Sequence, residues 1–372
     1  MTHRVDIHGK KMMGWLAPLM LALTLMVSSC SPATEGQEGN DAWVTLTIST
    51  GGGSADGGEG MASRASGSAA DKDWQVNDLT IYIFDQTGQV IGSSYASYSI
   101  NSQQDITATV KTRKAQGCTV IALANAGTLS GTYATAQTTS PFAGVSTLSE
   151  FQQKYITFKD MASLESAPCL LMVGYLKGFD TTSSGSSISL QRLASRLDFT
   201  ITVMDDKDTG LPIVVDSYQL CHAPLSAFYA PADMSSTGIT LPSGTSFVEY
   251  AANSTAFNSW TSGSNSQSYT AYVYANPATT ATDATYLLIK AHSQASNTDT
   301  RKIWQSEFKV YLTGITGPAD YQLLPNYHYT IGITVQGSAT EHNGVKTVYT
   351  AYPYMAGGSI ASWTPEDRPT DM

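Results

Sequence analysis

The chain has 372 residues, a formal charge of −10 and only 13% charged side chains. That acidic balance argues against nucleic acid and anionic lipid head groups as partners. Abundant Ser, Thr, Gly and Ala, with 20 tyrosines, fit an exported β-rich protein better than a cytosolic helical enzyme.

In chain order, residues 1–29 read as a targeting segment. MTHRVDIHGKK is a basic start, and MMGWLAPLMLALTLMV is an apolar run of 16 residues. That run is short for a permanent span. It ends in Val27-Ser28-Ser29-Cys30, similar to a bacterial lipobox, so Cys30 is expected to be acylated and to anchor the exported precursor in a membrane. Residues 1–29 hold three basic and one acidic residue. The remainder has 17 Lys and Arg against 29 Asp and Glu, a formal charge of −12.

Residues 30–64 hold a strand-like run and the first part of a loose linker. AWVTLTIST has strand character, with Trp43, Val44, Leu46 and Ile48 as its large side chains. GGGSADGGEGMASRASGSAADK follows as a flexible linker. Between Lys11 and Lys72 its only basic residue is Arg64, which is followed by Ala65.

Strand-like runs then dominate. In VNDLTIYIFD, Leu79, Ile81 and Ile83 alternate with Thr80 and Tyr82, and DQTG makes a turn into QVIG. GCTVIALANAG is nearly continuous in apolar residues, as expected of a central strand covered on both faces. One helix is expected over residues 146–158, where Thr147 and Glu150 fit a capping box and Leu148, Phe151, Tyr155 and Phe158 share a face. After residue 205 a second set of strands begins, divided by Asp, Asn, Pro, Gly and Ser clusters. The fold class expected is all-β: two β-sandwiches in tandem, with the boundary near residue 190 and one short helix in the first.

Catalytic signatures are scarce. The four histidines beyond the targeting segment, His222, His292, His328 and His342, stand at no metal-ligand spacing. There is no G-x-S-x-G elbow, no phosphate loop after Gly51-Gly52-Gly53, and no CxxC. Asp205-Asp206 in VMDDKDTG reads as a solvated turn rather than a calcium loop. Neither an enzyme nor a cofactor is expected. Cys118, Cys169 and Cys221 leave two readings open: a Cys118–Cys169 pair, or three buried thiols.

Taken together, the lipobox at Cys30, the strand and linker ending at Arg64, LTIYIFDQTGQVI, CTVIALANAG, LLMVGY, LQRLASRLDFTITV and LLPNYHYTIGITVQGSAT resemble the fimbrillins of Bacteroidia, subunits of cell-surface pili. The resemblance implies two transthyretin-like sandwiches, 65–190 and 191–372, and no catalytic site. It also implies cleavage by an arginine-specific protease between Arg64 and Ala65. Loss of the strand around Trp43, Val44, Leu46 and Ile48 would open a groove for a strand of another subunit. The candidate donor lies within 345–363, where Val345, Thr347 and Tyr349 alternate in VKTVYTAY; the same run could instead be an edge strand of the second sandwich.

The partners implied are identical or related subunits, the protease, the outer membrane through the lipid before maturation, and a host or glycan ligand. The mature form would reside in a surface fimbrium. Two alternatives remain at this level. One is an anchor or tip protein that stays lipidated. The other is a surface glycan-binding lipoprotein, for which Trp260 is the best loop aromatic.

Overall fold

A computed structural model describes residues 40–50 and 72–353, apart from 103, 184, 235–237, 313–320 and 339–344; of 345–353 it describes the backbone. The first part of the chain forms β1 (Asp41–Ser49), β2 (Val76–Phe84), β3 (Val90–Ile100), β4 (Asp105–Arg113) and β5 (Cys118–Ala124). Three short helices follow, α1 (Ala126–Thr132), α2 (Leu148–Gln152) and α3 (Met161–Ser166), with β6 (Tyr155–Thr157) between the last two. Then come β7 (Met172–Phe179), β8 (Ser186–Ser189) and β9 (Gln191–Arg192).

These strands make two facing sheets, β4-β1-β8 and β3-β2-β5-β7-β9. Period-two alternation puts Val44, Leu46 and Ile48 of β1, Ile106, Ala108 and Val110 of β4, and Leu79, Ile81 and Ile83 of β2 into one core. The sheets approach closely at two corners, and both corners carry glycine. A Cβ at Gly92 would lie 2.8 Å from the Lys111 carbonyl oxygen, and one at Gly174 would lie 2.5 Å from an Ile188 methyl. Any side chain there would push β3 from β4, or β7 from β8.

The central strands are covered on both sides, as the unbroken apolar run of β5 requires. Val120 and Ala122 face the sandwich core, whereas Ile121 and Leu123 join Phe84, Phe142, Phe151 and the helices in a second cluster. That cluster continues without a break into the rest of the chain, through Cys169, Leu171 and Leu193 to Leu197 and Phe199.

The second sandwich is built from β10 (Ala194–Val203), β11 (Ile213–Cys221), β12 (Ala223–Pro224), β13 (Ser226–Phe228), β14 (Phe247–Val248), β15 (Phe257–Asn258), β16 (Ser266–Tyr274), β17 (Tyr286–Gln294), β18 (Lys302–Tyr311), β19 (Tyr327–Val335) and β20 (Val345–Pro353). Its two sheets run β16-β10-β19-β20 and β15-β11-β17-β18. The chain leaves the first sandwich with β9, which pairs with β7, and enters the second with β10. A short antiparallel ladder, β6 with β13, also crosses between them.

The single helix expected over 146–158 is corrected. The capping box is there: Glu150 N–H donates to Thr147 Oγ1 at 3.1 Å, and Thr147 N–H to Glu150 Oε2 at 3.2 Å. But the helix ends at Gln152, and Tyr155-Ile156-Thr157 is a strand. Aromatic and β-branched residues favour extended backbone when a partner strand is at hand, and β13 supplies it. The Cys118–Cys169 pairing is not realised either. All three thiols are free and buried, with Cys118 in the first core and Cys169 in the second cluster.

Two asparagines in left-handed backbone lock the joints. Asn125 (φ 69°), fully buried, donates to the Gln75 and Leu170 carbonyls at 2.7 Å each and accepts from Asn77 N–H. Asn326 (φ 60°) accepts from Arg192 N–H at 3.0 Å, tying β9 to the start of β19. Asparagine tolerates this conformation better than most side chains.

Beside Asn326 runs a polar chain. Asp198 of β10 accepts from His328 of β19 and from Thr270 of β16, each at 2.6 Å, and pairs with Arg196 at 3.1 Å. Burial opposes ionisation of Asp198, but the bonds from His328, Thr270 and Arg196 outweigh it and hold the carboxyl below the usual carboxylate range. Its folded-state value therefore lies below the unfolded one. The stabilisation is complete above the ordinary value of about 3.9 and fades as pH falls below it. Asp198→Asn should lower the urea midpoint at pH 6, and the gap to the parent should shrink steadily below about pH 4; a gap independent of pH would contradict this.

Candidate functional site

The strand with the most consequential position is β1. It is the middle strand of its sheet. It pairs with β4 antiparallel over all nine residues, from Asp41 opposite Arg113 to Ser49 opposite Asp105. On its other side it pairs with β8 in parallel, from Leu46 beside Ser186 to Ser49 beside Ser189. Val44, Leu46 and Ile48 are almost wholly buried. Trp43, read from the sequence as part of the same apolar set, lies on the opposite face and is 69% exposed. Period-two alternation decides this: odd positions of β1 face outward.

β1 has no continuous described connection to the rest of the chain. Residues 51–71, including Arg64 and Ala65, lie outside the described residues, as does Cys30. The description resumes at Lys72, and there the chain is held firmly. The Lys72 ammonium donates to the carbonyls of Glu165 at 2.8 Å and Ala167 at 3.0 Å. Burial lowers its pKa, against the opposing pull of Cys169, Glu165 and Asp73. The Asp73 carboxylate, 2% exposed, pairs with Arg196 at 3.1 Å, and its backbone carbonyl accepts from Arg192 Nε at 2.8 Å. Arg192 is itself buried, and its guanidinium lies 4.5 Å from the centre of the Trp74 ring.

This clasp joins the first residues after the linker to β9 and β10. Sequence reading missed it. Arg192 and Arg196 were legible as part of LQRLASRLDFTITV, but not their partner Asp73, more than a hundred residues away. A buried arginine in an alternating strand is a hint that an acidic partner or carbonyl must exist somewhere.

The candidate donor segment is β20. Its backbone pairs antiparallel with β19 across nine residues, from Tyr327 opposite Pro353 to Val335 opposite Val345, so Val345, Thr347 and Tyr349 all lie in this ladder. It is the last strand of its sheet and has a partner on one side. Residues 357–363 lie outside the described residues. Among the described residues no group of His, Cys, Asp and Glu is arranged to hold a metal ion.

Comparison with known proteins fits this architecture. Residues 43–192, from β1 through β9, match the family model for the major fimbrial subunit protein (FimA). No curated protein matches the chain significantly. Among solved structures, a Parabacteroides distasonis protein proposed to act in cell adhesion is 17% identical with a TM-score of 0.61, over 86% of this chain and 99% of its own. A fimbrilin of Porphyromonas gingivalis W83 is 11% identical, with a TM-score of 0.55 over 86% and 99%. The tip fimbrial protein Mfa3 of Porphyromonas gingivalis, solved with a C-terminal truncation, is 12% identical, with a TM-score of 0.51 over 84% and 99%. The resemblance read from the sequence therefore holds: residues 43–192 match the major fimbrial subunit family, and the all-β fold is shared with a fimbrilin and a fimbrial tip protein.

Proposed function

We propose that this chain is a structural subunit of a cell-surface fimbrium, exported as a lipoprotein on Cys30, cut after Arg64, and assembled by strand exchange into the place of β1. The observation that carries the reading is the central position of β1 on the far side of a linker whose only arginine is Arg64. Cutting Arg64–Ala65 releases residues 30–64 and leaves β4 and β8 each with an unpaired edge, above a groove once filled by Val44, Leu46 and Ile48. Burying three such side chains stabilises by about 5–9 kcal/mol, an upper bound. That approaches the whole stability of an ordinary domain. An emptied groove of this kind is a strong acceptor for a strand from a second subunit, and repeated head-to-tail contact builds a filament.

The clasp guards the next basic residue after Arg64. An arginine-specific protease passes over Lys72 by side-chain type, and the two carbonyls that hold its ammonium withhold it from a protease that also accepts lysine. In this scheme the mature chain runs from Ala65, its first domain ending near residue 190, with β9, and its second beginning with β10. The donor is the segment around Val345, Thr347 and Tyr349, which has one ladder to give up where β1 has two. A subunit whose β20 never leaves β19 would instead cap the filament at its tip or anchor it at the membrane.

Three measurements test the reading. N-terminal sequencing of the surface form should give Ala65; an acylated Cys30 on the assembled protein would sink the pilin role, and a start at Asp73 would sink the role given to the clasp. Leu46→Ala should destabilise the uncut chain by about 2–5 kcal/mol in denaturant titration and leave the cut chain, freed of residues 30–64, unaltered. Deleting residues 345–372 should yield a folded, correctly cut monomer that forms no polymers on gels; polymers as abundant as the parent's would remove β20 as donor.

A further inference from the structure

Away from β1, the structure holds an open cleft of about 410 Å³ lined by Met161, His222, Phe247, Val248, Glu249 and Tyr286. We propose that this cleft is a binding site for a neutral pyranose of a surface glycan. The site involves no residue of β1, the linker or β20.

The cleft is built on the two-stranded ribbon β12-β14, in which Ala223 pairs with Val248 and Pro224 with Phe247. One step beyond, the same register sets His222 opposite Glu249. His222 takes left-handed backbone (φ 59°), and its ring lies flat on Phe247, with centroids 4.0 Å apart and planes 1° from parallel. Its Nδ1 stands 3.0 Å from the Asp283 carbonyl. A carbonyl only accepts, so in the neutral imidazole Nδ1 carries the proton and Nε2 is an acceptor. Glu249 is oriented by Gln219, whose amide donates to it at 3.3 Å. The cleft thus sets two acceptor groups beside aromatic and aliphatic surface: Phe247, Tyr286, Val248 and Met161.

Ligand chemistry follows by elimination. An anion would meet the Glu249 carboxylate on an acidic protein. A cation would be drawn to Glu249, but the Lys309 ammonium already stands over the Tyr286 ring of the same cleft, 5.2 Å from its centre, and repels a second positive charge. A neutral ring can offer hydroxyl donors to Glu249 and His222 and a face of C–H groups to the apolar surface of Phe247, Val248 and Met161. A pyranose has that chemistry, and the volume falls in the range of small-ligand sites. The sequence offered Trp260 as the glycan-contacting aromatic; the cleft does not include it.

Saturation-transfer NMR on the purified full chain tests the site. The probes are methyl mannoside, methyl galactoside, N,N′-diacetylchitobiose and cellobiose, with sialyllactose and trilysine as anionic and cationic controls. At least one neutral saccharide should bind, and more tightly than either control. Glu249→Gln should weaken that binding about tenfold through loss of a charge-assisted hydrogen bond, with thermal unfolding unchanged. Phe247→Ala should abolish the saturation signal. No binding by any neutral probe, preference for trilysine or sialyllactose, or full binding by Glu249→Gln would each overturn the proposal.

Discussion

The three-stranded sheet β4-β1-β8 depends on its middle member. An edge strand can leave a sheet at the cost of one ladder, but β1 is bonded on both sides, and its inward face supplies a third of the nine-residue strand to the core. Without it β4 and β8 are no longer joined into one sheet, and the opposing sheet loses the middle of its cover, between Ile106, Ala108 and Val110 of β4 and Ile188 of β8. In the proposed assembly this one element is the one supplied from elsewhere. The strand precedes the linker, while the clasp at Lys72, Asp73 and Trp74 follows it. The two ends of the linker are thus held by unrelated interactions, and those of the clasp involve no residue of β1.

The continuity of the second apolar cluster limits the damage when β1 is absent. Phe84, Ile121 and Leu123 bury one face of the five-stranded sheet against the helices and the second sandwich, independent of what covers the other face. The sheet that would present the emptied groove therefore has its own support. Close packing on the covered face leaves that side of the sheet hard to compress. The glycine corners at Gly92 and Gly174 serve the same end: they hold the flanking strands close to the five-stranded sheet, so the width of the slot is fixed by backbone contact.

Much of this was legible in the sequence, for definite reasons. Period-two alternation placed Leu79, Ile81 and Ile83 on one face, and the unbroken run at 118–124 required two covered faces. The Thr147–Glu150 box marked a helix start, because capping is a local interaction across three residues. The helix end was not legible. Leu148, Phe151, Tyr155 and Phe158 have helical spacing, and only the partner strand β13, some seventy residues later, draws 155–157 into extended form. The outward face of Trp43 was readable from the same alternation but is hidden by the residue's size, which suggests core. The clasp was not readable at all, since Asp73, Arg192 and Arg196 meet only through tertiary structure. The motif asparagines lie between these cases: ALAN and LPNY were visible as patterns, and their reason, two left-handed joints, needed backbone angles.

The two strands at the centre of the assembly scheme are matched in length and unequal in partners. β1 and β20 each pair over nine residues with one antiparallel neighbour, β4 and β19 respectively, and β1 adds a parallel pairing of four residues with β8. A segment that leaves an edge and enters the middle of a sheet exchanges one ladder for two. The net gain falls on the side of the filament only while the slot is empty. As long as residues 41–49 occupy it, the intramolecular strand competes at the high effective concentration of a tethered segment, and an incoming strand must pay for displacing it. Breaking the tether converts the resident strand into a free peptide that dilutes away on leaving. The role assigned to Arg64 is therefore entropic: the same contacts exist before and after the cut, and what changes is the effective concentration at which the departed strand can return.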